Sequence, residues 1–113
     1  MFTPEQAVQH QLDAYNERDV ERFAQAYSHD VEVFRPPQTQ PILSGVDALK
    51  VHYAANRFNL LDLHAKLLNR MVLGKTVIDH ELIQGLGDEP VEAAAVYEVT
   101  AGLINRVWFF SAK

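Results

Sequence analysis

Leu67–Ile83, "LLNRMVLGKTVIDHELI", decides how this chain folds. Apolar residues alternate on either side of Gly74-Lys75, a dipeptide suited to a two-residue hairpin loop. With that loop Leu73 faces Thr76, and the pairing continues outward. One face carries Leu67, Asn69 and Met71 opposite Leu82, His80 and Ile78; the other carries Leu68, Arg70 and Val72 opposite Glu81, Asp79 and Val77. Neighbouring strand residues point to opposite faces, so Asp79, His80 and Glu81 cannot form a triad or share a metal unless a bulge intervenes. Arg70, opposite Asp79 and diagonal to Glu81, accounts for the two acids as an ion pair worth ~0.2 to 1 kcal/mol on a partly solvated outer face. His80 is expected on the inner face, between Ile78 and Leu82 and beside Asn69. Two readings stand for it: a core histidine satisfied by an amide or backbone group, or a pocket imidazole acting as base or ligand partner.

The same alternation marks the runs 63–73, 76–84, 91–99 and 103–112, which predict an antiparallel meander. Turning the last hairpin through Thr100-Ala101-Gly102 puts Ala93, Ala95, Tyr97, Val99, Val107 and Phe109 inside, on the side assigned to His80. Val96, Glu98, Ile104, Arg106, Trp108 and Phe110 fall outside. That outer set is too apolar for water, so a homodimer packed through Val96, Trp108 and Phe110 is expected. Ahead of the strands lie helices. Thr3, Pro4 and Gln6 form a capping signature for a helix burying Ala7, Val8, Gln11, Leu12 and Tyr15. Asp19 caps a short helix that carries Phe23, Ala26 and Tyr27 inward. Val31–Phe34 reads as a strand, Pro36, Pro37 and Pro41 as a loop, and Ser44 with Asp47 as the cap of a third helix reaching about Asn56, with Leu49 and Tyr53 on one face. The order is α+β: three N-terminal helices packed on the concave face of a strongly curved antiparallel sheet.

The 113 residues, 48% hydrophobic, suffice for one domain and one core. A net charge of -5 with scattered basic residues argues against nucleic acid and against an anionic membrane surface. Without cysteine there is no disulfide or thiolate zinc site. No signal-peptide pattern or spanning segment is read, so a cytoplasmic protein is expected. His10, His29, His52, His64 and His80 lack ligand spacing, "GLGDE" precedes no helix, and no GxSxG elbow occurs, so neither metal nor organic cofactor is expected.

"LDAYNERD", "YSHDVEVF", "SGVDALKVHY" and "GLINRVWFF", in this order along nearly the whole chain, resemble the nuclear transport factor 2-like superfamily, most of all its SnoaL-like and ketosteroid-isomerase-like bacterial members. The resemblance implies a cone with an apolar pocket between helices and sheet, commonly in a dimer, but a shared fold does not carry chemistry with it. Aligned to the steroid isomerases, Gln11 stands where the donor Tyr would be, Arg35 at the base position, and Ala95 at the second Asp; only Tyr53, a supporting tyrosine, is kept. The steroid mechanism is therefore not expected. The resemblance also turns Ile78, His80 and Leu82 towards the pocket. His80 is then the candidate base, oriented by Asn69, with Tyr53, Gln11 or Arg35 stabilising an enolate; Tyr15, Tyr97 and Phe109 complete the ligand lining. Arg35 reads either as a solvated residue at the pocket mouth or as a clamp for a ligand carboxylate. A cofactor-independent isomerase, cyclase or lyase acting on a small apolar or carbonyl compound, a non-catalytic binder of an apolar or carboxylated ligand, and a dimeric interaction module are the three functions these residues allow.

Overall fold

Thr3 starts the first helix as its capping signature requires. Its Oγ1 accepts from the Gln6 backbone N–H at 3.1 Å, Gln6 Oε1 accepts from the Thr3 N–H at 2.9 Å, and α1 runs Pro4–Glu17. Asp19 caps α2, Val20–Ala24, by accepting from the Arg22 N–H. There follow β1 (Tyr27–Phe34), a proline-containing loop, the short β2 (Leu43–Ser44), α3 (Val46–Asn56), β3 (His64–Leu73), β4 (Thr76–Gln84), β5 (Val91–Thr100) and β6 (Leu103–Ser111). This computed structural model describes residues 1–112. Two local expectations change. Tyr27 opens β1 instead of continuing the second helix, and Gly45, at φ 92°, is the cap residue of α3 because Ser44 is drawn into the sheet opposite Glu32.

The strands form one sheet in the order β2-β1-β6-β5-β4-β3. β3 to β6 make the expected antiparallel meander, while β1 joins β6 in parallel, so the sheet as a whole is mixed. Bulges bend it. In β3 the extra residue is Leu68: Asn69 to Leu73 pair with His80 to Thr76 as the two-residue loop demands, but Leu67 then faces Glu81, and Lys66 faces Leu82. In the last hairpin the loop is Ala101-Gly102, both at positive φ, with Thr100 opposite Leu103. Ile104 consequently faces Val99 and is fully buried, not outside as expected.

The larger correction concerns which face of β4 turns inward. Val77, Asp79 and Glu81 are buried, whereas His80 has 44% of its side chain exposed. The β4–β5 register pairs Val77 with Tyr97, Asp79 with Ala95 and Glu81 with Ala93. The acids therefore share the inner face with Tyr97, and His80 does not. Burial of these charges is possible because they are matched. Arg70 Nε and Nη2 donate to the two carboxylate oxygens of Asp79 at 2.7 and 2.9 Å, and Arg70 Nη1 donates to Gln9 Oε1 of α1 at 2.8 Å. A fork-to-fork pair with its third nitrogen satisfied withstands desolvation that a lone charge would not.

α1 is also fastened to the free edge of β3. Asn16 Nδ2 donates to the Ala65 carbonyl at 3.0 Å, and its Oδ1 accepts from the Ala65 N–H at 2.7 Å. With Phe23 of α2 and Leu49 and Tyr53 of α3, the helix closes one sheet face over a core that includes Val31, Val33, Val77, Val99, Ile104 and Val107. Asp79→Ala leaves Arg70 without its counter-charge and is expected to cost about 3 to 5 kcal/mol in urea unfolding. Combined replacement, Asp79→Leu with Arg70→Met, is expected to recover much of that loss.

Candidate functional site

Helices and sheet do not meet everywhere. Where the small side chains of Ala65 and Ala93 leave room in the cone, a cavity of about 200 Å³ remains, and Gln11, Tyr15, Arg35, Tyr53, Tyr97 and Phe109 line it, together with Arg57 and Glu81.

Gln11 organises its floor. One hydrogen of its Nε2 goes to the Val8 carbonyl at 3.0 Å, the other to Tyr97 Oη at 3.1 Å, and its Oε1 accepts from Tyr27 Oη at 3.2 Å. The Val8 carbonyl can only accept, so the amide cannot be turned over. Direction follows through the chain: Tyr27 donates, Tyr97 accepts, and the hydroxyl hydrogen of Tyr97 is left for the cavity. Burial, with negative charge from Glu81 nearby, pushes the Tyr97 and Tyr27 phenols well above 10. Burial likewise raises Tyr53 to about 12, partly opposed by Arg57 and Arg35, and raises Tyr15, which meets Tyr53 edge-on at 6.3 Å. All four phenols therefore remain O–H donors across the working pH range.

Glu81 is the acid of this site. It projects from β4 beside Ala93, is only 6% exposed, and has no hydrogen-bond or ion-pair partner among the described residues. Loss of hydration raises its pKa to about 7, with further upward pressure from the Asp79 carboxylate and a smaller downward pull from Arg70. The two acids on one strand face thus part company: Asp79 is held by Arg70, and Glu81 stands free at the cavity wall.

Of the residues proposed from sequence, Gln11, Tyr15, Arg35, Tyr53, Tyr97 and Phe109 come together here. His80 and Asn69 lie outside. His80 Nε2 and Glu92 Oε2 are 2.6 Å apart on the opposite face, and the exposed Asn69 accepts from the Arg70 N–H with its side-chain oxygen. Glu81 and Arg57 were missed. The overlooked signal for Glu81 is the β4–β5 register, which places it on the Tyr97 face; Arg57, just past α3, has no sequence signature. Among the described residues no cluster of three metal-ligating side chains occurs.

A family model described as a SnoaL-like domain matches residues 8–107. The chain belongs to the SnoaL-like domain family. An uncharacterised cystatin-fold protein from Novosphingobium aromaticivorans superposes with a TM-score of 0.84 at 21% identity, covering 97% of this chain and 98% of that one. A candidate ketosteroid isomerase from Kribbella flavida gives 0.80 at 24% identity over 97% of this chain and 78% of the other. A candidate polyketide cyclase from Sinorhizobium meliloti gives 0.79 at 18% identity over 96% and 100%. Such identities establish a shared fold and leave the chemistry to the site. No curated protein matches the sequence.

The family cone here contains a carboxyl that resists ionisation, and this has a thermodynamic signature. An acid whose pKa is higher folded than unfolded holds its proton more tightly in the native state. Its contribution is therefore most favourable below about 4.5 and is lost as pH rises through about 7. Glu81→Gln is expected to flatten that decline and to raise stability at pH 8 by on the order of 3 kcal/mol, measured by urea unfolding at pH 5 and pH 8.

Proposed function

We propose that this chain is a cofactor-independent enzyme that moves a proton on a small carbonyl compound, an isomerase or lyase with Glu81 as its base. The observation that carries this reading is the unpaired, buried Glu81 carboxyl, near pKa 7, in the same apolar cavity as a free phenolic donor. A base poised near the working pH is half ionised there and still basic enough to take a proton. In the reaction, a Glu81 oxygen takes the hydrogen from the carbon next to the carbonyl. The C–H electron pair forms a C=C bond, the carbonyl π pair moves onto oxygen, and the resulting enolate oxygen accepts a hydrogen bond from the O–H of Tyr97. In a substrate with a neighbouring C=C bond the enolate is a dienolate, and returning the proton to its far carbon completes an isomerisation; loss of a leaving group from the carbon next to the enolate would make it a lyase. Gln11 acts through Tyr97 as a positioning residue, since its amide donates to the phenol oxygen and fixes where the phenol hydrogen points.

Size narrows the substrate. An apolar cavity of roughly 150 Å³ holds a benzene, so about 200 Å³ suits one ring or a short chain and not a fused four-ring steroid. Two fold neighbours, a candidate ketosteroid isomerase and a candidate polyketide cyclase, support the choice of isomerase or lyase chemistry and not the limit on size. The test is hydrogen–deuterium exchange next to the carbonyl of cyclohexanone in D₂O, followed by proton NMR. Glu81→Gln is expected to lower the rate at least about 100-fold, while His80→Ala leaves it unchanged and the wild-type profile rises through about pH 7. Loss of exchange in His80→Ala with retention in Glu81→Gln would overturn the assignment.

We also propose that the outer sheet face carries a second copy of the chain. Val96 and Trp108 are half-buried there, Phe110 and Met71 are 44% and 51% exposed, and Trp108 stacks on Phe34 at 5.6 Å to leave a flat apolar surface. Trp108→Glu is expected to shift sedimentation from dimer to monomer; an unchanged dimer would place the interface elsewhere.

A further inference from the structure

Of the six arginines, Arg22, Arg70 and Arg106 are each matched to carboxylates, and Arg18 ends α1 on the surface. The remaining two, Arg35 and Arg57, both line the cavity, and neither has a carboxylate partner among the described residues. Arg57, half-buried, gives one nitrogen to the carbonyl of its neighbour Asn56 at 2.8 Å. Arg35 is exposed at the cavity mouth and rests its guanidinium, which has no hydrogen-bond or ion-pair partner among the described residues, over the Phe109 ring at 5.8 Å from the centroid. In a chain with fifteen acids against ten basic residues, two unmatched guanidiniums on one apolar cavity are not explained by surface charge balance. Glu81, the carboxyl that shares the cavity, is not paired with either. Both arginines also bear on the same neighbours, since each lowers the pKa of His52 and of Tyr53. They therefore act on one end of the site.

We propose that Arg35 and Arg57 form an anion subsite for a substrate carboxylate, so that the natural ligand is a small oxo acid. The carboxylate sits between two planar forks that match its two oxygens, and the apolar body of the ligand reaches into the cavity. The carbonyl half of this assignment rests on the reading of Glu81 as base; the carboxylate half does not. A planar monoanion is favoured over a phosphate because the lining is dominated by apolar and aromatic walls and the cavity is small.

Titration calorimetry at pH 7 on the full chain separates the possibilities, with 4-oxocyclohexanecarboxylate, its methyl ester and inorganic phosphate as probes. The carboxylate is expected to bind at least about tenfold more tightly than the ester, and Arg35→Gln or Arg57→Gln should each remove most of that preference while ester binding is kept. Arg57→Lys, which keeps the charge and loses the fork, should fall between. Equal binding of acid and ester, no binding of the acid at millimolar concentration, tighter binding of phosphate, or an undiminished preference in both glutamine variants would overturn the subsite. Glu81→Gln tells the two proposals apart. Retained carboxylate preference without any wild-type exchange next to the carbonyl leaves the subsite standing and removes the base. Exchange that depends on Glu81 but runs equally on acid and ester does the reverse.

Discussion

The bidentate contact between Arg70 and Asp79 governs this molecule, because it decides which side of the central hairpin faces the helices. A strand with charged residues on one side and isoleucine and leucine on the other would ordinarily bury the apolar side. Here the charged side goes in. Each Asp79 oxygen meets its own guanidinium nitrogen, and Gln9 of α1 receives another. Desolvation is then offset by geometry, and the interaction joins the sheet to the first helix as well as closing on itself. Once that face is chosen, the alternation of the strand carries Glu81 inward two residues later.

Glu81 arrives without such a partner, and the contrast sets the electrostatics of the cavity wall. The same strand face holds one carboxylate gripped by a fork of donors and another whose pKa is raised by lost hydration and by the first one's charge. The tyrosines follow the same logic, as burial keeps them protonated and therefore able to donate. Gln11 adds direction. Because the Val8 carbonyl can serve only as acceptor, a backbone oxygen one turn away ultimately sets where the Tyr97 hydrogen points.

Much of this was legible beforehand. The helix caps at Thr3 and Asp19, the four runs of the meander and the Gly74-Lys75 turn depend on local rules of backbone and period, and those rules held. Parity between distant strands is not local. Whether Asp79 or His80 shares a face with Tyr97 depends on how many residues the 85–90 connection takes up, and although its glycines and proline mark a turn, they do not fix a loop length from which to count. Bulges are equally invisible to alternation: Leu68 moved Glu81 opposite Leu67, and Asn105, unpaired between Ile104 and Arg106, lets both Ile104 and Val107 face the core. The pocket residues drawn from helices and from β5 and β6 were placed on the cavity side because each was anchored by its own periodicity. His80 and Asn69 were misplaced together, as members of one pair must be.

Asn16 has a consequence beyond holding a helix in place. Its carboxamide offers Ala65 a donor and an acceptor in the spacing of a neighbouring strand, so the backbone edge of β3 is already occupied there by a side chain of the same molecule. An incoming extended peptide finds no free N–H and C=O pair at that point with which to begin a ladder. At the other border of the sheet, β2 is only two residues long. At these two points the sheet offers little on which a further strand could start.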